Sequence, residues 1–577
     1  MLAATMLTAA SCSDFSDYNE VPVDQLATGN QTLWENISQH PQLTEFAALV
    51  KRVGFDSELS KSGFYTVWAP LDGTYSAADF AGMSDSLVLQ QFVKNHVAEY
   101  GHGASGLIRE RIHTLNDKSY IFEGNGSYTF DRVSITDPNL PSSNGVLHLL
   151  GGQAVFYPNL YEYLMSAEDI ALLHDFFKKY ELTYLDQNAS VKGPMVDGVQ
   201  TYIDSVMVTF NSLTNSLNAL IQNEDSSYTF IMPTDEAYQK MYDRVKPLHN
   251  YIESTIVQDV ENFTSASGTQ TKTMTTNAAY LQDSLTSRAV VRNLIYSNND
   301  AYNQWILGNG PETDTLRSTT RTKLSNPDDI LNKYMVGKPI ELSNGYARLV
   351  DSLAFYPWET FNRQINVNPR FYLYGLFDGT AHGYTVEDSF IPFVFGPDAN
   401  ITDFRYYSIE PNGIYNKPTI IISLPDVLST TYNFYVVFLP SAWSVFGGEE
   451  RPNKLNFQLS YCGTNGKLAN YIFDKAYADS LLTGGKLPTL PTSISSSTVA
   501  MRSAFENDPF KTDTVFIGRF TFPVAYSGLG DDYRPNIRIT SPISTFNATQ
   551  MAQYTRDVRI AAIIMKPVEL EEFENNK

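Results

Sequence analysis

An internal repeat constrains this chain more than any other feature. Thr66-Val67-Trp68-Ala69-Pro70-Leu71-Asp72 recurs 163 positions later as Thr229-Phe230-Ile231-Met232-Pro233-Thr234-Asp235. In both places a β-favouring apolar run ends at a proline, which cannot donate to a central ladder. An aspartate follows two residues on, placed to cap a following helix, and then an aromatic, Tyr75 or Tyr238. A second landmark pairs Asn144-Gly145-Val146-Leu147-His148 with Asn344-Gly345-Tyr346-Ala347-Arg348, where Asn-Gly opens a strand as in a tight hairpin. Between them Phe92-Val93-Lys94-Asn95-His96-Val97 answers to Val290-Val291-Arg292-Asn293-Leu294-Ile295. Amphipathic stretches at 33–50 and 160–177, with apolar residues at three- and four-residue spacing, predict helices ahead of each copy. The offset grows from 163 at the first landmark to 200 at the second, so the second copy holds 37 more residues between them. The polar stretch 298–339 is the expected place for much of that insertion.

These landmarks resemble the fasciclin domain family, strongly in the first copy and less so in the second, where Leu294 and Arg348 replace the histidines. The resemblance implies α/β wedges, each a twisted β-sandwich with helices packed on it, and a role in adhesion or extracellular binding without catalysis. It places fasciclin-like domains at 31–158 and at 159–361, the latter with an insertion.

From 362 onward, short runs rich in aromatic and β-branched residues alternate with Pro and Gly, as at 419–422, 432–438, 455–461, 515–522 and 560–565. Period-two alternation predicts an all-β sandwich, jelly-roll-like, over 362–577. Residues 481–503, with Gly484-Gly485 and Ser495-Ser496-Ser497, are a helical or low-complexity interruption that reads as a long loop.

The N-terminus carries a different signal. The run Met6-Leu7-Thr8-Ala9-Ala10-Ser11-Cys12 is similar to the lipobox of bacterial lipoproteins, with Ala9 where Leu is usual and no basic residue ahead of it. The resemblance implies a signal-peptide remnant at 1–11, lipid attachment at Cys12, and a linker to residue 30. Acidic and serine residues after Cys12 are similar to the signal that sends Bacteroidota-type lipoproteins to the cell surface. No later segment reaches the roughly 18 apolar residues of a spanning helix.

The formal charge is 41 − 63 = −22, which disfavours nucleic acid and anionic lipid surfaces as partners. With only Cys12 and Cys462, a disulfide framework is not expected, and Cys462 reads as a small core residue. The eight histidines include no pair at metal-ligand spacing on a predicted helix; His96 and His148 read as core or hydrogen-bonding residues. The segment from Asp398 to Asp403 lacks the Gly and terminal Glu of an EF-hand, so it reads as a turn. Asp328-Asp329 and Asp531-Asp532 read as solvated pairs in turns. No nucleophile elbow, phosphate loop or dinucleotide fingerprint occurs. The expectation is therefore a non-enzymatic chain with no cofactor and no metal.

Trp443, in a loop after a strong strand, and Trp358 and Trp305 in the second copy are the candidate ligand or partner contacts, since a ring there could stack on a sugar or enter a protein pocket. Partial core burial is the plainer expectation for each. The combined reading is an outer-membrane lipoprotein facing the cell exterior, an accessory component of a SusC/SusD-type TonB-dependent importer of glycans or oligomeric nutrients. The alternative is adhesion to host matrix or neighbouring cells. A third reading, a hydrolase with carboxylates assembled from distant strands of the sandwich, has no motif behind it.

Overall fold

The computed structural model describes residues 29–577 apart from 197, 254–258, 266–267, 275–276, 368–375, 378–381, 386–404, 410, 412–417, 443–449 and 527–532. Two compact units result. One takes in the described residues of Met1–Ala167 with Leu220–Phe230 and Pro339–Ala347; the other comprises Glu168–Ala219, Ile231–Lys338 and Arg348–Lys577.

In the first unit a seven-stranded sheet runs in the order Val97–Glu99, Tyr65–Pro70, Gly145–Leu150, Val133–Ser142, Tyr128–Phe130, Ser119–Asn125, Leu107–His113. Tyr65–Pro70 and Gly145–Leu150 are parallel neighbours, with Trp68 opposite His148. Both strands are almost wholly buried, which explains their unbroken apolar character. The stretch 33–50 forms two helices. Leu33–Gln39 starts in a capping box of Thr32 and Glu35, and Thr44–Arg52 buries Phe46, Leu49 and Val50 against the sheet residues Val67, Leu147 and Leu149.

The repeat is legible in hydrogen bonds. The Asn144 side-chain oxygen accepts from the Leu33 N–H at 2.7 Å, and its amide donates to the carbonyls of Leu59 (2.9 Å) and Lys61 (2.6 Å). The Asn344 oxygen accepts from the Leu160 N–H at 2.9 Å, and its amide donates to Ile221 (2.7 Å) and Asn223 (3.1 Å). A Cβ on Gly145 would overlap the Tyr65 carbonyl oxygen, and one on Gly345 would overlap that of Tyr228. The Asn-Gly pair therefore ties the first helix, the loop before the first strand, and that strand in each copy.

The aspartate after each proline caps a helix, but an earlier one than its position in sequence suggests. Asp72 accepts from the Thr44 and Glu45 N–H groups at the start of Thr44–Arg52. Asp235 accepts from the Leu172 N–H at the start of Ala171–Lys178. The helix that follows it, Asp235–Val245, is capped by Thr234 instead. The local sequence offers the carboxylate two helix starts, and packing brings the preceding one within reach.

The second copy's insertions also differ from expectation. Corresponding helices start at Leu33 and Leu160 (offset 127), first strands at Tyr65 and Tyr228 (163), short middle strands at Val97 and Ile295 (198), and last strands at Gly145 and Gly345 (200). About 36 extra residues thus lie before the first strand and 35 before the middle one, and only two in 298–339. Each block is an antiparallel hairpin: Glu181–Val196 with Val199–Asn211, and Asp259–Ser265 with Gly268–Met274. The polar stretch after Ile295 instead supplies ordered structure, including the paired strands Leu316–Arg317 and Lys323–Leu324.

After the second copy the chain is β-rich, in two six-stranded antiparallel sheets. The first has the order His382–Thr385, Arg405–Ile409, Val558–Pro567, Thr431–Phe438, Asp513–Thr521, with Ile365–Val367 also on Val558–Pro567. The second has Leu376–Phe377, Thr419–Ser423, Asn536–Thr540, Lys454–Cys462, Leu468–Phe473, with Phe505–Glu506 also on Lys454–Cys462. Residues of both sheets, among them Ile420, Phe434, Phe457, Ile517, Ile539 and Ile563, share one apolar core. The expected long loop at 481–503 is in part helical: Lys475–Thr483 and Ser497–Ser503 flank a shorter connection. The C-terminal helix Val568–Asn575 returns along the sheet, where Glu571 accepts from the hydroxyl of Tyr435 and the amide of Asn433. No helix among the described residues is long and apolar enough to cross a membrane.

Candidate functional site

The tryptophans picked from sequence divide by their surroundings. Trp358 is half-buried, stacked on Tyr356 (5.0 Å, 9°) and packed against Phe573 of the C-terminal helix (4.5 Å). Its ring is thus engaged within the chain itself. Trp305 lies in the short helix Gln304–Leu307, half-buried, its indole N–H donating to the Tyr302 carbonyl at 3.0 Å. Trp443, Cys12, the segment from Asp398 to Asp403 and Asp531-Asp532 lie outside the described residues. Cys462 is buried in the strand Lys454–Cys462.

The histidines of the first copy are held as neutral rings. His96 Nδ1 donates to the Phe92 carbonyl (2.7 Å) while Nε2 accepts from the Ala154 N–H (2.9 Å). In His148 the roles swap: Nε2 donates to the His102 carbonyl (2.8 Å) and Nδ1 accepts from the Asn139 N–H (3.2 Å). Burial pushes both down to about 4, from an ordinary value of 6.5. Each ring thus uses both nitrogens to join backbone segments, and neither nitrogen is left for a ligand.

Sequence reading misses a polar cavity of about 360 Å³ in the first unit. Its floor comes from the strands Leu107–His113 and Ser119–Asn125 and the turn leading into Val133–Ser142, and its other wall from Tyr157 and residues 341–343. Lys118 is buried, 2% exposed, with Nζ 2.6 Å from Glu162 Oε2 and 2.7 Å from Glu224 Oε1. The Asn159 amide also donates to Glu224 Oε1, and the Asn159 N–H donates to Glu162 Oε2, so one ammonium and two carboxylates share a closed network. A buried charge requires such pairing.

Asp131 and Arg132 form the two-residue loop between strands pairing Phe130 with Val133. Their φ angles are 49° and 66°, the signature of a type I′ turn, for which Asn-Gly is the least strained pair. A left-handed conformation costs an ordinary L-residue roughly 1–2 kcal/mol, less for aspartate. Burial pushes the Asp131 carboxyl up to about 6, with Arg132 pulling the other way. Arg132 reaches to 3.9 Å from Glu341 and Arg109 to 3.4 Å from Glu123, both pairs solvent-accessible. The one sequence sign of this site is a charged Asp-Arg pair where a hairpin favours Asn-Gly.

The second unit has a cavity of similar size, about 350 Å³, among three helices, lined by Asp175, Lys179, Tyr238 and Asp283 among others. There the Tyr242 hydroxyl donates to Asp283 at 2.8 Å.

Comparison with known proteins fits the repeat analysis at its stronger end. Residues 41–152 match the fasciclin domain family. The matched span runs from the second helix of the first copy past its last strand, Gly145–Leu150, so it covers both landmark motifs. A solved FAS1 domain pair from the insect cell adhesion molecule fasciclin I is similar at 11% identity, covering 55% of this chain and 98% of that one with a TM-score of 0.20. No curated protein matches the chain.

In the fasciclin domain and in its second copy, the Asn-Gly knots are structural. The second copy adds a surface of a different kind. On its longer hairpin Leu182 pairs with Phe210 and Tyr184 with Val208, so these four apolar side chains share one face. Leu182 is 59% and Tyr184 55% exposed, with Met195 and Val199 more so near the tip.

Proposed function

We propose that this chain is a non-catalytic, lipid-anchored binding component of the outer-membrane surface. It docks on a SusC/SusD-type TonB-dependent importer and assists capture of a glycan or oligomeric nutrient. The observation that carries the docking half is the Glu181–Val196 and Val199–Asn211 hairpin, with its apolar, solvent-facing ladder. A two-stranded hairpin is marginal in water on its own, and no third strand among the described residues joins this one, which invites a partner. Anchoring rests on the lipobox-like run at Cys12. The fasciclin match supports a second reading, adhesion to matrix or cells, in which the same hairpin meets a different protein.

Mild detergent extraction followed by affinity purification tests the choice. The importer should co-purify with the wild-type chain and be lost with Leu182→Asp/Tyr184→Asp. A chain that always elutes alone sinks the docking reading. Loss of cell attachment by the same variant, with no importer recovered, would establish adhesion instead.

A further inference from the structure

The cavity of the first unit has a lining that selects its occupant. Arg109 and Arg132 line it together with Glu123, Asp131 and Glu341, while the Lys118 ammonium is already held by Glu162 and Glu224. An anion would meet three carboxylates and a cation two guanidinium groups, and an apolar ligand would desolvate them all without compensation. A neutral molecule rich in hydroxyls can donate to the carboxylates and accept from the guanidinium groups at once. The Tyr157 ring supplies apolar surface beside these polar groups. The volume, about 360 Å³, stands at the small end of ligand sites, which span roughly 300–1,000 Å³.

The turn at the rim gives an independent reason to look here. Asp131 and Arg132 occupy two successive left-handed positions, where a sequence shaped for hairpin stability alone would carry Asn-Gly. The conformational cost of the arginine goes with placing a guanidinium, 85% exposed, beside the cavity.

We propose that this cavity binds a neutral mono- or disaccharide, with Asp131, Glu123 and Glu341 accepting from sugar hydroxyls and Arg109 and Arg132 donating to them. The site lies in the first unit and does not depend on the hairpin's partner, so either can fail without the other.

The turn itself supplies the decisive variant. Asp131→Asn/Arg132→Gly installs the preferred type I′ pair while removing both charges. The full chain is titrated with neutral mono- and disaccharides, alongside matching uronic acids and amino sugars, by saturation-transfer NMR and calorimetry. At least one neutral sugar should bind saturably, the double variant should weaken it tenfold or more, and its unfolding midpoint should not fall. The proposal is overturned if no neutral sugar saturates, if only the charged counterparts bind, or if the double variant binds as wild type does. Should the double variant unfold early, Glu341→Gln carries the same decision.

Discussion

The two copies keep different things. Both retain the buried Asn-Gly knot, with each asparagine bonded to a helix N–H and two loop carbonyls in the same pattern. The histidines that join backbone segments in the first copy are gone from the second. Leu294 is fully buried at one position, and Arg348 at the other donates to the Asn332 side chain at 2.8 Å. The difference teaches that the knot closes the fold, whereas the histidine positions can be filled by other chemistry. It also teaches where the fold tolerates length, since both hairpins enter between elements that stay in place.

The sharpest way to break this comparison is at the glycines. Gly145→Ala and Gly345→Ala should each cost about 4 kcal/mol or prevent folding of that copy, because the new methyl meets a strand carbonyl with no side chain to yield. Proteolysis that finds either variant as resistant as wild type would remove the knot from its central place. Next comes Lys118→Ala, which leaves the buried Glu224 carboxylate without a counter-charge and should cost about 3 kcal/mol by denaturant titration. Arg111→Ala, whose partner Asp225 is exposed, should cost under about 0.5 kcal/mol.

Acid separates the copies more gently. His96 and His148 titrate near 4 when folded and near 6.5 when not, so the unfolded chain takes up protons first. Their contribution is complete above about pH 6.5 and declines as pH falls toward 4, by about 2 kcal/mol per histidine at pH 5. Peptide-resolved hydrogen exchange between pH 8 and 5 should therefore show protection falling faster around the first copy's last strand than around the second's. Equal loss would mean the histidines are not the source. A small effect is also expected from excising 182–210 and closing the gap with a short turn. The first copy does without that hairpin, so the unfolding free energy should change by less than about 1 kcal/mol.

Much of this architecture was readable from the chain because it rests on buried, repeated patterns. The Thr66–Asp72 and Asn144-Gly145 segments are constrained by packing on all sides, so their likeness persists in the second copy. The insertions were harder to place: polarity pointed to 298–339, whereas the offset had already reached 198 at Ile295. Spacing was the better guide, since a polar segment can be well ordered when its backbone groups are paired, as at Leu316–Arg317. Lys118 escaped notice because its two partners lie 44 and 106 residues away. Nothing local marks a lysine as buried. The packing of Trp358 on Phe573 is equally invisible locally, since the two stand 215 residues apart.

That last helix follows the strand Val558–Pro567, which sits in the middle of its sheet and pairs with Ile365–Val367, Arg405–Ile409 and Thr431–Phe438. The β-rich region therefore cannot close its core until Val558–Pro567 has been made, about two hundred residues after the Ile365–Val367 strand it pairs with. Synthesis order and folding order are opposed here, and the intervening strands stay open and threadable until then. A chain cut short by one strand should be recognised as unfolded rather than accumulate as a smaller working protein.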